Sequence, residues 1–178
     1  YLDTDERRRF AQVSHEYLIE QLQFQEASTD TTFTLNFNHP VKELIWTGIP
    51  IFADGVAANV NGTKIPRTVG GSTSTFQLIL NGHDRFAARD LKYFTRTQVW
   101  QHHSGFGGTA NTDSIYVYSF ALKPEEHQPS GTCNFSRIDN AQLVCKVASS
   151  ASVPPGTIFI YAVNYNVLRV MSGMGGLA

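Results

Sequence analysis

The chain has 178 residues, of which 16% are charged and 12% are aromatic, and its formal net charge is −1. This length suits one domain with a core large enough to be stable without disulfides or metals. The near-neutral charge gives no electrostatic basis for direct binding to nucleic acid. No apolar run is as long as the stretch of about 20 residues that a membrane-spanning helix needs. We therefore expect neither a nucleic-acid partner nor a transmembrane segment.

The predicted elements are one short helix followed mainly by strands. Residues 4–12 are typical of a helix capped by Thr4 or Asp5, with acidic residues in its first turn and arginines after them. After Ser14 the hydrophobic pattern changes to that of strands. Eight strands are predicted, at residues 17–25, 32–37, 42–46, 75–80, 97–102, 115–122, 141–148 and 157–170.

The connections between these strands are uneven in length. Asn81-Gly82 is a strong turn signal, and residues 87–94 are predicted to form a helical turn. Residues 48–74 form one long connection, and the glycine-rich segment 104–112 is predicted to be a second surface loop. The small residues of 172–178 predict a loose tail.

This arrangement predicts an all-β fold, an eight-stranded antiparallel jelly-roll sandwich with short helical segments. An immunoglobulin-like sandwich is the alternative fold. That fold usually has about seven strands of more even spacing and a Cys…Trp…Cys pattern. The chain lacks this pattern, so the jelly roll is favoured.

The strongest candidate for a chemical site is the adjacent pair His102 and His103. On a predicted strand these two side chains point to opposite faces, and no carboxylate follows before Asp113. A cupin-like metal centre usually needs a His-x-His pair with a carboxylate close behind it. We therefore expect no catalytic, cofactor-binding or metal-binding residues, and we do not expect an enzyme.

Two cysteines and one sequon complete the candidate sites. Cys133 and Cys145 have no metal-ligand spacing and lie on what are predicted to be different strands, so we expect two unlinked thiols. Asn61 begins the sequon Asn-Gly-Thr in the long connection 48–74, which makes it a candidate glycosylation site. A second sequon begins at Asn134, where a glycan would block the start of a strand, so we discount it.

The most informative segment is YVYSFALKPEEHQPSGTCNFSRID at residues 116–139. It reads as a strand with aromatics on one face, a polar turn closed by Pro-Ser-Gly, and the beginning of a second strand. This segment resembles the signature near the C-terminus of the major capsid proteins of large icosahedral double-stranded DNA viruses, which include chlorella viruses and iridoviruses. Further blocks resemble that family in the same order: HEYLIEQ at 15–21, LNGHDRF at 80–86, YF at 93–94 leading to QHH at 101–103, and VNYNVLR at 163–169.

The resemblance implies that residues 15–178 form the C-terminal jelly roll of a double jelly roll, preceded by a helical lead-in or linker at residues 1–14. In that family three copies form a pseudo-hexagonal capsomer that tiles the icosahedral shell. The implied function is therefore a structural capsid protein of the virion, assembled in the cytoplasm of the infected host cell. Its implied partners are its own copies, neighbouring capsomers and minor capsid proteins. Because there is material for only one jelly roll, we expect a piece of a longer protein.

The alternative function is a carbohydrate-binding jelly-roll module. Such modules present a planar row of exposed aromatic side chains. Here Trp46 and Trp100 are predicted on separate strands with no third partner in register. This pattern favours the capsid interpretation.

Overall fold

A computed structural model of the protein describes residues 1–28, 32–47, 75–105, 115–146 and 157–177. Within these ranges the chain forms two antiparallel sheets and short helices. The predicted long connection 48–74, which contains Asn61, lies outside them. So do residues 106–112 of the second predicted loop.

The first sheet, which we call sheet A, contains six of the described strands. Its main path runs through β1 (His15–Ser28), β10 (Thr157–Met171), β3 (Pro40–Thr47) and β7 (Tyr116–Ser119), while β8 (Cys133–Asn134) pairs with β3 and β11 (Met174–Leu177) pairs with β10. The second sheet, sheet B, runs through β2 (Thr32–Thr34), β9 (Ala141–Lys146), β4 (Thr75–Leu80) and β5 (His83–Asp84), and β6 (Arg89–Asp90) pairs with β4. The helical segments are α1 (Thr4–Gln12), a π-helical turn (Tyr93–Thr97) leading into α2 (Gln98–His102), and a 3-10 turn (Phe135–Arg137).

The connectivity between the sheets is that of a jelly roll. Strands β1, β3, β7 and β10 lie in sheet A, whereas β2, β4, β5 and β9 lie in sheet B. The chain therefore crosses from sheet to sheet at almost every step, as two wound Greek keys require. The predicted antiparallel jelly-roll sandwich is confirmed, and seven of the eight predicted strands are strands in the structure. The short strands β5, β6 and β11 have no counterpart among the predicted ones.

The strand predicted at residues 97–102 is wrong, because this segment is helical. The helix covers the free edge of β7: the Ser119 N–H donates to Gln98 Oε1 at 3.1 Å. One turn earlier, Phe94 is completely buried in the core. Tertiary packing thus overrides the weak local preference of the segment for a strand. The helical turn predicted at 87–94 is correct only in its second half, since β6 occupies residues 89–90 and helical structure begins at residue 91 and continues into the π-helical turn.

The tail predicted to be loose is instead a hairpin. Residues 174–177 form β11, which pairs with β10 from Met171↔Met174 onward. The turn between them consists of Ser172 and Gly173, whose φ angles of 52° and 76° are both positive. Such two-residue turns fit the twist of the strands that they join.

Helix α1 has the predicted bounds but a different cap. Asp3 is the N-cap residue, where Thr4 or Asp5 was expected, and its carboxylate accepts the Thr4 N–H at 2.6 Å. The Asp3 N–H in turn donates to Glu6 Oε2 at 2.9 Å, which completes a capping box. No residue of this helix is buried.

The core between the sheets is built around aromatic rings. Trp46 from sheet A lies 5.3 Å from the Phe76 ring of sheet B and 5.1 Å from the Phe94 ring of the helical turn, in edge-to-face contacts. Tyr116 of β7 stacks on Trp46 at 5.8 Å. All four side chains are at most 1% exposed. This cluster therefore links both sheets and the helical segment in one apolar unit.

The segment after β2 keeps the predicted alternation without remaining a strand. Phe33, Leu35 and Phe37 are all buried, as the pattern predicts, yet β2 ends at Thr34. Beyond that point the Leu35 N–H donates to the Ala141 carbonyl at 2.8 Å. Four other backbone groups of residues 34–38 bond to side chains of β1.

Two glutamine side chains of β1 replace a partner strand for this segment. Gln25 donates to the Thr34 carbonyl at 2.6 Å and accepts the Asn36 N–H at 2.9 Å. Gln23 donates to the Asn38 carbonyl at 2.6 Å and accepts the Asn38 N–H at 3.0 Å. Each amide thus supplies one donor and one acceptor, as a backbone peptide group would. The pair ties the end of β2 in sheet B to β1 in sheet A.

Changing Leu78 to Ala is expected to lower the free energy of unfolding by about 2–5 kcal/mol, because the truncation leaves a cavity in a packed core. Leu78 lies on β4 and is 1% exposed, whereas Leu122 is 73% exposed. The matched control Leu122→Ala should therefore change this free energy by at most about 0.5 kcal/mol. Denaturant titration followed by tryptophan fluorescence measures both. Equal losses would contradict the burial of Leu78.

Replacing Gln23 and Gln25 together by Ala is expected to speed amide hydrogen exchange at Asn36 and Asn38, because both N–H groups lose their acceptors. The free energy of unfolding should fall by about 1–3 kcal/mol in total, since backbone groups lose partners in a partly exposed setting. Gln128→Ala, in an exposed loop, is the control. Unchanged exchange at both amides would show that the glutamines do not hold this segment.

Candidate assembly surface

The outer face of sheet A carries a row of apolar side chains. On β1 the outward residues include Leu18, Leu22 and Phe24, which are 55%, 61% and 53% exposed. Residues directly opposite each other in an antiparallel pair share a face, and Val163 and Val167 of β10 lie opposite Leu22 and Leu18. We call this row the outer apolar stripe; it consists of Leu18, Leu22, Phe24, Phe159, Tyr161, Val163 and Val167.

Aromatic contacts organise one end of the outer apolar stripe. The Phe24 ring lies 5.0 Å from the Tyr161 ring and 6.1 Å from the Phe159 ring. Phe159 and Tyr161 are half-buried, so the three rings leave part of their apolar surface open to solvent. Exposed contiguous apolar surface of this kind marks sites of contact with other protein.

Ion pairs lie between and beside these apolar residues. Arg169 contacts Glu16 at 2.8 Å near one end of the stripe. Nearer its middle, Lys42 contacts Glu20 at 2.7 Å, and its ammonium group also lies 5.6 Å from the centre of the Tyr165 ring. The pairing of β3 with β10 shifts register between Val163 and Asn164. Because a bulge re-aims side chains locally, this shift accounts for a β3 lysine that reaches across to β1.

The two histidines singled out in the sequence lie at the end of α2, so the premise that they point to opposite faces of a strand is wrong. His102 Nδ1 lies 3.0 Å from the Leu122 carbonyl oxygen. His103 lies between two carboxylates, with Nε2 3.0 Å from Glu43 Oε2 and Nδ1 3.1 Å from Glu125 Oε1. In the described part of the chain, no three His, Cys, Asp or Glu side chains are grouped so as to hold a metal ion.

The two carboxylates beside His103 differ in their surroundings. Burial raises the pKa of Glu43, and the neighbouring His103 and Lys42 charges only partly oppose that effect. Glu125 is exposed, and hydrogen bonds from Ser104 lower its pKa, with a further lowering by His103. The Ser104 N–H donates to Glu125 Oε2 at 3.1 Å.

The tryptophans do not form an aromatic platform for sugar rings. Trp46 is 1% exposed and belongs to the core. Trp100 lies on α2, not on a strand as predicted, and is 76% exposed. The structural signal for function is therefore an apolar sheet face, which the sequence pattern alone did not reveal.

The cysteines lie in different sheets, as the sequence predicted for different strands. Cys133 is on β8 in sheet A and is half-buried, while Cys145 is on β9 in sheet B and is buried; both are free thiols. Burial raises the pKa of both thiols, that of Cys145 to about 11. A thiol with such a raised pKa stays protonated near neutral pH and is a poor nucleophile.

The described residues thus form a jelly-roll sandwich with an exposed apolar stripe on the outer face of sheet A. Residues 6–176 match the family model of the large eukaryotic DNA virus major capsid protein. The chain belongs to this family. Its members are structural capsid proteins and not enzymes.

Individual relatives agree with the family match. The major capsid protein of Pyramimonas orientalis virus is 51% identical over 201 residues, an alignment that covers 100% of this chain and 46% of that protein. The major capsid protein of Paramecium bursaria Chlorella virus 1 is 41% identical, with 100% of this chain and 52% of that protein covered. A solved structure described as the PBCV-1 virus capsid, quasi-atomic model, has a TM-score of 0.75 at 39% identity, and this chain covers 55% of it.

These relatives are about twice as long as the chain, which spans about half the length of each. The comparison with the PBCV-1 capsid structure covers all of this chain. Among the described residues, no helix is long and apolar enough to cross a membrane.

The burial of the thiols makes a prediction about their reactivity. In the denatured, unreduced protein we expect a thiol reagent to titrate two groups. In the native protein near pH 8 the reagent should modify Cys133 first, because Cys145 is buried and its raised pKa keeps it protonated. Raising the pH toward 11 should speed the reaction at Cys145. Finding no free thiol in the denatured protein would contradict the structure.

Proposed function

We propose that the chain is the C-terminal jelly roll of a major capsid protein that builds the shell of a large DNA virus. The observation that carries this proposal is the 51% identity to a viral major capsid protein along the whole chain. Because the chain spans 46% of that relative, a second unit of similar size completes the protein. Three copies of the complete protein form a pseudo-hexagonal capsomer, and capsomers tile an icosahedral shell.

The division of the chain follows from this assignment. Residues 15–178 form the jelly roll, and residues 1–14 form the lead-in that links it to the rest of the protein. Helix α1 buries none of its residues against the described part of the jelly roll, which suits a linker. Asn61 remains a candidate glycosylation site.

The outer apolar stripe is the surface that we assign to assembly. It packs against a neighbouring jelly roll within the capsomer. A stripe with large apolar residues more than half exposed, flanked by ion pairs, has the composition of an interface core with a polar rim. The assembled protein lies in the virion capsid, where it also contacts neighbouring capsomers and minor capsid proteins. Assembly takes place in the cytoplasm of the infected cell.

The oligomeric state of the full-length capsid protein tests this function. Native mass spectrometry should find a homotrimer. Changing Leu22 to Lys in the stripe should abolish or weaken the trimer, because a charge would be buried without a partner. The change should leave the thermal unfolding of the isolated chain nearly unchanged, since Leu22 is 61% exposed there. Leu122→Lys, at a loop position that is 73% exposed, is the matched control and should keep the trimer.

The outcomes separate the two parts of the proposal. A full-length protein that stays monomeric at the concentrations reached in infected cells would overturn the capsomer function. A trimer that Leu22→Lys leaves intact would overturn only the assignment of the stripe.

A further inference from the structure

His103 joins three elements that are far apart in the sequence. It is the C-cap residue of α2, and its ring lies between Glu43 on β3 and Glu125 in the loop that follows β7. The His103 side chain is 18% exposed and that of Glu43 is 9% exposed, whereas that of Glu125 is 45% exposed. The partly exposed carboxylate of Glu125 in the loop is thus connected through the His103 imidazole to the buried carboxylate of Glu43.

The loop, residues 122–130, is closed at its base by its own contacts. The Lys123 N–H donates to Ser130 Oγ at 2.9 Å, and Lys123 pairs with Glu126 at 3.0 Å. Gly131 has a φ of 147° and lies so close to the chain that a Cβ there would be 2.7 Å from the Phe120 carbonyl oxygen. These contacts shape the loop, while the buried Pro124 and the Leu122 carbonyl, which lies 3.0 Å from His102 Nδ1, attach its first residues to the rest of the fold.

The attachment of the outer part runs through Glu125. Its two carboxylate oxygens contact His103 Nδ1 and the Ser104 N–H, both at 3.1 Å. On the other side of the ring, His103 Nε2 and Glu43 Oε2 lie 3.0 Å apart, which is an ion-pair distance, and neither atom makes a hydrogen bond to the described residues. The imidazole is therefore the centre of the connection.

The protonation of the ring decides how many of these contacts it makes. A neutral imidazole has one N–H and can donate on one side only, whereas the imidazolium donates from both nitrogens and carries the opposite charge to both carboxylates. We propose that His103, Glu43 and Glu125 form a pH-dependent clasp, which holds Glu125 and the outer part of the 122–130 loop against α2 and sheet A when His103 is charged and loosens that part when His103 is neutral.

The other charged groups near the His103 ring have partners of their own. Lys42 on β3 lies beside Glu43 and is paired with Glu20 of β1, so it does not replace His103 as the partner of Glu125. His102, the neighbour on the helix, faces the Leu122 carbonyl. The loop cation Lys123 faces Glu126. Among the described residues, His103 is thus the group that bridges the two carboxylates.

The sign of the pH dependence follows from these groups. The contribution of His103 to the clasp is complete when the ring is charged, at lower pH, and is lost when the ring becomes neutral, at higher pH. The contribution of Glu125 to the clasp is complete when its carboxylate is ionised. Because the pKa of Glu125 is lowered, this contribution is lost only below the usual pH range for glutamate. Glu43, with its raised pKa, gains a proton earlier on acidification. The clasp is therefore tightest at mildly acidic pH.

Amide protection of Ser104 tests the clasp, because its N–H donates to Glu125. Protection factors, which are corrected for the intrinsic pH dependence of exchange, are measured by NMR between about pH 5.5 and 8.5. In the unaltered chain, protection of Ser104 should fall about two- to fivefold across this range, the scale expected for a partly exposed ion pair. In His103→Gln the protection should not vary with pH. The control His127→Gln, an exposed histidine in the same loop, should behave as the unaltered chain does.

A second variant keeps the test valid if His103→Gln fails to fold. Glu125→Gln changes an exposed loop residue and should leave the fold intact, yet it should remove most of the pH dependence at Ser104. Protection of Ser104 that stays constant with pH in the unaltered chain would overturn the proposal. So would a pH dependence that survives in Glu125→Gln.

Discussion

The aromatic cluster of Trp46, Phe76, Phe94 and Tyr116 is the interaction on which the rest of the structure depends. A sheet is stable only when its apolar face is buried against another element, and these rings bring two sheets and one helical segment to a common centre. Phe94 also fixes the position of the helix that follows it. Because its ring is anchored in the core, the helix that follows runs along β7 and ends with His103 beside Glu43.

Strand β10 passes through this core and continues beyond it. Its inward side chains begin with Ile158, Ile160 and Ala162, which are buried in the apolar cluster, and continue with Asn164 and Asn166. Asn164 is fully buried and its side-chain oxygen accepts from Gln23 at 3.1 Å. The inward side of β10 therefore changes from apolar to polar side chains along the strand, while Phe159, Tyr161, Val163 and Val167 on its outward side belong to the outer apolar stripe.

The elements that could be predicted from the sequence are those with a regular alternation over several residues. Strand β4 has its predicted bounds, 75–80, since one sheet face there is apolar and a positive-φ turn follows. Residues 97–102 could not be assigned in this way, because their helix depends on contacts with β7 and the core. The outer apolar stripe could not be predicted because β1 carries large apolar residues on both faces, such as Leu18 and Ile19, and the alternation alone does not show which face is covered. The contact of His103 with Glu43, which is 60 residues away, leaves no local pattern at all.

The edges of sheet A are protected against strand pairing, so association with other protein is expected to involve the outer face of the sheet. The edge of β7 is covered by α2 through Gln98, and the segment after β2 is satisfied by glutamine amides. Among the described residues, β1 forms the other edge of sheet A, and its outward side chains alternate between apolar residues and Glu16, Glu20 and Glu26. Charged side chains along an edge discourage unplanned strand pairing. In sheet A, the covered edge of β7, the charged edge of β1 and the open apolar face favour association by side-chain packing, which depends on a complementary surface. Such association can be specific enough to produce a closed shell and still avoid the open-ended growth that strand addition would permit.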